Sequence, residues 1–244
     1  MNESFRVAVL ASGSGSNFQS ILDGLHHSAN SPVEVVLLVA SKPGIRAIER
    51  AAAADVPTVV LPDPKEGRVV AADRLATALA DARPDLIVLA GYLRLIPHEV
   101  VSAYRGRMVN IHPALLPAFG GEGMYGGRVH AAVIDRGVRV SGVTVHFVDE
   151  VYDHGPIIAQ WPVPVLEGDT PEILAGRVLR VEHALLPAIV DAIARGQVTL
   201  LPTGECEWHV PWPGGDRFMI HPGPEGQGIA GPAEWLEGQA GNGG

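Results

Sequence analysis

The chain has 244 residues, of which 47 % are hydrophobic and 18 % charged, and its formal net charge is −9. This composition predicts a globular chain with a substantial core, and the negative charge argues against binding nucleic acid through its phosphates. No apolar run approaches the roughly 18 residues of a membrane span, no signal peptide is recognisable, and the single cysteine, Cys206, excludes an internal disulfide. We therefore expect a cytoplasmic protein without nucleic-acid or membrane partners.

The first half of the chain alternates short β-branched runs with longer helical patterns rich in Ala and Leu. The predicted strands are 6–10, 33–39, 57–61, 85–90 and 107–111, and the helices between them are about 16–28, 44–54, 67–82 and 97–104. Near-continuous apolar strands separated by helices are typical of a parallel sheet covered on both faces. The sequence therefore predicts a doubly wound, Rossmann-like α/β fold.

The pattern changes after residue 127. A helix near 128–136 leads into two apolar runs, 140–148 and 156–165, that are close enough in sequence to pair antiparallel, and a long helix at about 170–195 follows. The last segment is rich in Gly, Pro and Trp and lacks a clear period. We expect a catalytic domain over 1–200, with an antiparallel C-terminal portion in its sheet, and an irregular tail over 201–244.

A glycine- and serine-rich loop, "SGSGSN", follows the first predicted strand and opens the first helix. Glycines permit a tight turn, and the free N–H groups of a helix start bind phosphate. The loop lacks both G-x-G-x-x-G and the lysine of a P-loop, which disfavours a dinucleotide or a nucleoside triphosphate. The alternative is a simple capping loop, with Ser16 or Asn17 as the helix cap.

Two polar residues interrupt the end of the fifth apolar strand, in "NIHPALLP". Asn110 and His112 are two residues apart and therefore share one face of the strand, and Pro113 then ends it. An amide can donate to a developing oxyanion and an imidazole can move a proton near neutral pH. The carboxyl end of a parallel strand is also where open α/β sheets bind ligands, which favours catalysis over packing.

Acidic residues crowd the loop between the two antiparallel runs. Asp149, Glu150 and Asp153 lie there, and any of them could orient His112 by folding back on it, although spacing does not distinguish among them. His146 lies in an apolar alternation and is interpreted as a packed residue.

A short apolar segment with one arginine, "GYLRLIP", follows the fourth predicted strand. This pattern indicates either a helix start with a snorkelling arginine or a slot for a flat, apolar and partly anionic ligand. The histidines lack the spacing of H-E-x-x-H and there is no C-x-x-C, so we expect no metal.

Together these stretches resemble the folate-dependent formyltransferases, and among them the glycinamide ribonucleotide formyltransferases of purine (IMP) biosynthesis. The resemblance runs from about Arg6 to Gly196. "NIHPALLP" and the downstream D-x-G-P are shared with the wider family, whereas "SGSGSN" and "VHFVD" fit the glycinamide enzymes. The resemblance implies transfer of a formyl group from 10-formyltetrahydrofolate, a co-substrate, to the amine of 5'-phosphoribosylglycinamide, giving formylglycinamide ribonucleotide and tetrahydrofolate.

The resemblance also implies roles for particular residues. The catalytic group matches Asn110, His112 and Asp153. The family positions that bind the substrate phosphate correspond to Gly13, Ser14, Gly15, Ser16 and Asn17, and the position that binds the ribose hydroxyls corresponds to Glu182. The positions that bind the folate correspond to Arg68, Tyr92, Leu93, Arg94, Leu95 and Ile96, with Arg68 one residue out of alignment.

One segment departs from the family pattern. After Pro117 the chain reads "AFGGEGMYGGRVH", about five residues longer than usual, with His130 in place of one family histidine and Tyr125 in place of another. The group that supports Asp153 is therefore left open. Two alternatives remain: an N-formyltransferase acting on an amino-sugar nucleotide, and a catalytically silent ligand-binding relative. The sequence leaves open whether the protein is a monomer or a homodimer.

Overall fold

The computed structural model describes residues 4–63 and 68–210, and within these the side chain of Arg68 is not described. Strands and helices alternate through most of the chain. In chain order they are β1 (Phe5–Ala11), α1 (Ser16–Gly24), β2 (Val33–Ala40), α2 (Arg46–Ala53), β3 (Thr58–Val60), α3 (Arg68–Ala82), β4 (Leu86–Leu89), α4 (His98–Ala103), β5 (Met108–His112), α5 (Gly127–Arg136), β6 (Val140–Phe147), β7 (Ile157–Pro164), α6 (Pro171–Ala194), β8 (Val198–Leu200) and β9 (Cys206–Trp208).

Strands β1 to β7 form one sheet in the order β3-β2-β1-β4-β5-β6-β7. Strands β1 to β5 pair in parallel, while β6 and β7 are antiparallel to their neighbours. The predicted fold class, a doubly wound and mostly parallel sheet with an antiparallel C-terminal portion, is confirmed.

Both faces of the sheet are buried, as the continuous apolar strands predict. In β1, Val7 and Val9 belong to one hydrophobic cluster and Ala8 and Leu10 to another, and all four side chains are fully buried. Helices α1, α2, α5 and α6 cover the first face, and α3 and α4 cover the second. Because alternate side chains of a strand point to opposite faces, an unbroken apolar run is what such a central strand requires.

The observed bounds lie within a few residues of those predicted, with the largest difference at α1. The prediction extended it to residue 28, whereas it ends at Gly24 and His27 adopts a left-handed backbone with φ 57°. None of the helices in the described ranges combines the length and the hydropathy needed to cross a bilayer.

A small antiparallel pair, β8 with β9, follows α6 and includes the first residues of the predicted tail. The indole N–H of Trp208 donates to the carbonyl of Ile158 at 3.2 Å, which fixes this hairpin against β7. Neither strand of this pair was predicted from the sequence, in which the segment after residue 200 lacks a clear period. The rest of the predicted tail, residues 211–244, lies outside the described residues.

Candidate active site

A cavity of about 770 Å³ opens where the sheet order reverses, at the carboxyl ends of β1, β4 and β5. The structure brings nearly all of the predicted site residues to it. Those lining it are Gly13, Ser14, Gly15, Ser16, Asn17, Tyr92, Leu93, Arg94, Leu95, Ile96, Asn110, His112, Asp153 and Glu182. The prediction for Arg68 concerns a side chain outside the described part.

Two loops are joined at this reversal of strand order. The N–H of Ser12 donates to the carbonyl of Gly91 at 3.1 Å, and the Ser12 hydroxyl accepts from the N–H of Leu93 at 2.9 Å. The loop after β1 and the segment after β4 are therefore held as one rigid wall. This contact lets two parts of the sequence that are about 80 residues apart act on one cavity.

The loop after β1 presents a run of free backbone donors. The N–H groups of residues 13–17 have no hydrogen-bond partner within the described part of the chain, and α1 begins at Ser16 without a side-chain cap. The capping alternative is therefore wrong for Ser16 and Asn17. Consecutive free N–H groups at a helix start, with the positive end of the helix dipole, form a site for an anion.

The conformation of this loop depends on Gly15. Its φ is +69°, and a Cβ there would lie 2.7 Å from the Cβ of Ala47 on α2. A Cβ on Gly13 would meet no atom within 4 Å. The backbone of Gly15, rather than that of Gly13, is the sterically constrained point.

We predict that Gly15→Ala destabilises the fold by about 1–3 kcal/mol, because the left-handed backbone disfavours a side chain and the added methyl overpacks against α2. Gly13→Ala is the matched control and should leave the Tm unchanged. Thermal unfolding of both variants checks this. Equal Tm values for the two variants would contradict the constraint at Gly15.

Asn17 connects the loop of residues 13–17, called the anion loop from here on, to helix α6. Its amide Nδ2 donates to Oε2 of Glu182 at 3.1 Å, and both side chains are buried. Burial raises the pKa of Glu182, and the Asn17 hydrogen bond offsets part of that rise. The Oδ1 of Asn17 is buried without a partner in the described chain. This pair therefore offers unused acceptors to a hydroxylated ligand.

The three residues matched to catalysis lie together. Nδ1 of His112 is 3.4 Å from Oδ2 of Asp153, and Nδ2 of Asn110 is 3.3 Å from Oδ1 of the same carboxylate. Asp153 has a left-handed backbone with φ 53° and a side chain only 10 % exposed. Of the acidic residues in its loop, Asp153 is thus the one that meets His112, and Asn110 belongs to the same cluster.

His146 also belongs to this cluster, so its interpretation as a packed residue is incomplete. It faces Asn110 across the antiparallel pair β5–β6, and its Nε2 lies 3.1 Å from Asn110 Nδ2 and 3.7 Å from Asp153 Oδ1. Its Nδ1 lies 2.8 Å from the carbonyl of Phe147, which favours a proton on Nδ1 and leaves Nε2 to accept from Asn110. The antiparallel pairing of β5 with β6, which places His146 opposite Asn110, is the signal that could have revealed this contact.

The segment after Pro117 supports the pair from its backbone. The carbonyl of Phe119 lies 2.8 Å from His112 Nε2, and the N–H of Gly121 donates to Asp153 Oδ2 at 3.0 Å. A Cβ on Gly120 would lie 2.5 Å from Leu116 and 3.2 Å from Asp153. The segment after Pro117 therefore supports the His112–Asp153 pair through main-chain groups, in addition to the side chains of Asn110 and His146.

The protonation of the pair reflects opposing effects. Burial lowers the pKa of His112, although the facing Asp153 carboxylate and Phe119 carbonyl act against that shift. Burial acts to raise the pKa of Asp153, but its contacts with His146, His112 and Gly121 outweigh it and hold that pKa below its usual value. Asp153 is thus ionised at neutral pH, next to a ring whose two nitrogens both face acceptors.

His130, which lines the cavity, is buried as well, and its Nδ1 has no partner in the described chain. Burial and the charge of His112 both lower the pKa of His130. As the pH falls, His130 is protonated at about pH 6.5 in the unfolded chain and only at a lower pH in the folded chain. The unfolded state therefore binds more protons just below about pH 6.5.

We predict that the Tm falls as the pH drops from 7 through this window, and that it falls less steeply in His130→Gln. Thermal unfolding at a series of pH values measures both slopes. A His130→Gln variant with the wild-type slope would contradict the assignment.

The segment after β4 forms an apolar rim. Leu93 and Leu95 are exposed, and burial raises the pKa of Tyr92 to about 12. The guanidinium of Arg94 donates to the carbonyl of Pro62 at 2.9 Å, so it braces this rim. The guanidinium of Arg94 is thus bound to a backbone carbonyl, which differs from the snorkelling arginine of the alternative interpretation. No group of three metal-ligating side chains occurs within 4–63 and 68–210.

The strand order and the crevice at its reversal place the chain among the doubly wound α/β proteins. A model of the formyl transferase family matches residues 5–190, and the chain belongs to that family.

Named relatives agree with this assignment. The chloroplastic phosphoribosylglycinamide formyltransferase of Arabidopsis thaliana is 45 % identical over 79 % of this chain, and that of Bacillus subtilis is 40 % identical over 77 % of this chain and 94 % of its own length. The crystal structure of glycinamide ribonucleotide transformylase 1 from Symbiobacterium toebii matches with a TM-score of 0.77 at 37 % identity, over 85 % of this chain and 95 % of that one. The matched part spans 66 % of the Arabidopsis relative.

Proposed function

We propose that the protein transfers the formyl group of 10-formyltetrahydrofolate to the amine of 5'-phosphoribosylglycinamide, and so acts as a phosphoribosylglycinamide formyltransferase in purine biosynthesis. The observation that carries the proposal is one cavity lined by an anion loop, by the Asn110–His112–Asp153 cluster and by an apolar rim. Two substrates, one phosphorylated and one with a flat ring system, would meet at the cluster. The names of the relatives support this choice of substrates.

The phosphorylated substrate would bind the free N–H groups of residues 13–17, with its ribose hydroxyls on Glu182 and Asn17. The folate would lie against the rim of Tyr92 to Ile96. Arg68 remains a candidate contact for the folate. No metal is required by this arrangement of substrates.

The chemistry is a nucleophilic acyl transfer. The substrate amine attacks the formyl carbon, a C–N bond forms, and the carbonyl oxygen becomes a tetrahedral oxyanion. One N–H of Asn110 is directed at His146, which fixes the amide, and the other at Asp153. The second N–H would turn from the Asp153 carboxylate to the oxyanion as that oxygen gains charge. Held between Asp153 and the Phe119 carbonyl, His112 would add positive charge when protonated.

The proton of the attacking amine must reach the leaving nitrogen of the folate. Asp153 is ionised and can accept that proton as the new bond forms. The proton then passes to folate N10 as the C–N10 bond breaks, giving tetrahydrofolate and the formylated amine. Charge and atoms balance without another reactant.

A spectroscopic assay tests the proposal. Purified protein is mixed with 10-formyltetrahydrofolate and 5'-phosphoribosylglycinamide, and ultraviolet absorbance follows deformylation of the folate while mass spectrometry detects the formylated ribonucleotide. We expect turnover that requires both substrates. Absence of product while a known transformylase works in the same buffer would favour the catalytically silent alternative.

An amino-sugar nucleotide in the same assay tests the other alternative. The binding loop presents backbone donors suited to one phosphate and has no P-loop lysine, which favours the ribonucleotide. Faster formylation of the amino-sugar nucleotide would overturn the substrate assignment.

We further propose that the enzyme acts in the cytoplasm, as a monomer or a homodimer. Gel filtration with light scattering distinguishes the two oligomeric states.

A further inference from the structure

Arg50 lies on α2, behind the anion loop rather than in the lining of the cavity. Its Nε donates to the carbonyl of Ser14 at 2.9 Å, and its Nη1 donates to Oε1 of Gln19 at 2.7 Å. The side chain thus connects α2, the loop and α1. None of the motifs in the sequence draws attention to it.

Three successive carbonyls of the loop are held by donors. The carbonyl of Gly13 accepts from the N–H of Ala47 at 3.3 Å, that of Ser14 from Arg50, and that of Gly15 from the N–H of Gln19 at 2.9 Å. In a trans peptide the C=O and the following N–H point in opposite directions. Holding these carbonyls therefore turns the N–H groups of residues 14–16 away from their donors, and those N–H groups have no partner in the described chain.

The loop also lacks a cationic side chain of its own. Within the described residues, Arg94 and Arg128 are the Lys or Arg side chains that line the cavity. Arg94 is bound to the Pro62 carbonyl, and Arg128 lies over the ring of Tyr125, 4.8 Å from its centroid. The guanidinium of Arg50 is the positive charge that contacts the loop backbone.

We propose that Arg50 is a positioning residue for phosphate recognition: its hydrogen bond to the Ser14 carbonyl orients the free N–H groups of the loop, and its charge stabilises the bound phosphate from behind. This inference rests on the proposed function, because it takes the loop to bind the phosphate of the ribonucleotide.

Three variants test it. Arg50→Gln removes the charge and the Nε–H, Arg50→Lys keeps the charge without the planar fork, and Arg46→Gln removes a charge from the same helix at an exposed position. Isothermal titration with ribose 5-phosphate measures phosphate binding without catalysis. Steady-state kinetics give kcat and the KM of each substrate, and thermal unfolding reports the fold.

We expect Arg50→Gln to raise the Kd of ribose 5-phosphate and the KM of the ribonucleotide by about 10-fold or more, since a hydrogen bond to a charged group has about that effect. The KM of the formyl folate, kcat and the Tm should stay near wild type. Arg50→Lys should fall between Arg50→Gln and wild type, and Arg46→Gln should match wild type.

Three results would overturn the proposal. They are unchanged ribose 5-phosphate binding in Arg50→Gln, an equal loss in Arg46→Gln, or a rise in the KM of both substrates with a lower Tm, which would indicate a structural residue. A wild-type protein that binds ribose 5-phosphate but transfers no formyl group would instead refute the proposed function, and the titrations would still decide the role of Arg50.

Discussion

Asp153→Asn is expected to lower kcat by at least about 100-fold while the protein stays folded. The carboxylate contacts His112, Asn110 and the Gly121 N–H, and in the proposed mechanism it accepts the amine proton, a contribution of about 100- to 10,000-fold for a general base. Asparagine keeps the size of the side chain and tolerates the left-handed backbone at this position, so the loss is chemical and not steric. Steady-state turnover with both substrates measures it.

The matched control for this variant is Glu150→Gln. Glu150 belongs to the same acidic loop, but its exposed carboxylate pairs with His98 at 3.0 Å and does not line the cavity. We expect Glu150→Gln to retain near-normal turnover. Near-normal turnover in Asp153→Asn, or an equal loss in both variants, would refute the assigned role of Asp153.

A second readout separates a base from a residue that only orients the ring. Loss of the carboxylate removes the negative charge that acts against the lowering of the His112 pKa, so that pKa should fall further in Asp153→Asn. Titration of the His112 ring by NMR checks the direction. An unchanged titration would show that the two groups are not coupled in solution.

Local patterns in the sequence were sufficient to predict the fold. The apolar run of β1 is buried on both faces. The two apolar runs 140–148 and 156–165, which are close in sequence, predicted the antiparallel pair β6–β7. The polar pair Asn110 and His112 was visible because polar residues are costly at the end of an apolar strand unless they are used.

The contacts that complete the site could not be predicted in this way. His146 reaches Asn110 through strand register, and the supporting groups of Asp153 and His112 are a backbone N–H and a carbonyl in a segment that departs from the family pattern. Main-chain groups are present at every residue, so no residue type reveals them. Arg50 likewise acts through the carbonyl of Ser14, 36 residues away.

The backbone support explains why Gly120 matters although it carries no functional group. Its α-carbon packs between Leu116 and Asp153, so that the flanking carbonyl of Phe119 and N–H of Gly121 reach the His112–Asp153 pair. The segment after Pro117 thus supports the pair through its main chain. Precision at the site then depends on close packing in this loop as well as on the side chains of the cluster.

Asn110→Ala is expected to lower kcat by about 100- to 1000-fold, the usual effect of losing a donor to an oxyanion. The variant removes the amide that lies between His146 and Asp153 and leaves the buried strand around it unchanged in its apolar residues. Because the amide would act only as the tetrahedral oxyanion forms, the KM of each substrate should change little. Turnover measured at saturating concentrations of both substrates checks this.

Asn17→Ala provides the contrast that identifies an oxyanion donor. Asn17 donates to Glu182 at the anion end of the cavity, so its loss should raise the KM of the ribonucleotide with a much smaller effect on kcat. If Asn110→Ala instead raises the KM and leaves kcat intact, Asn110 binds the ground state and the oxyanion must be stabilised elsewhere in the cluster. The opposite responses of two asparagines in one cavity would assign binding to the loop after β1 and catalysis to the end of β5.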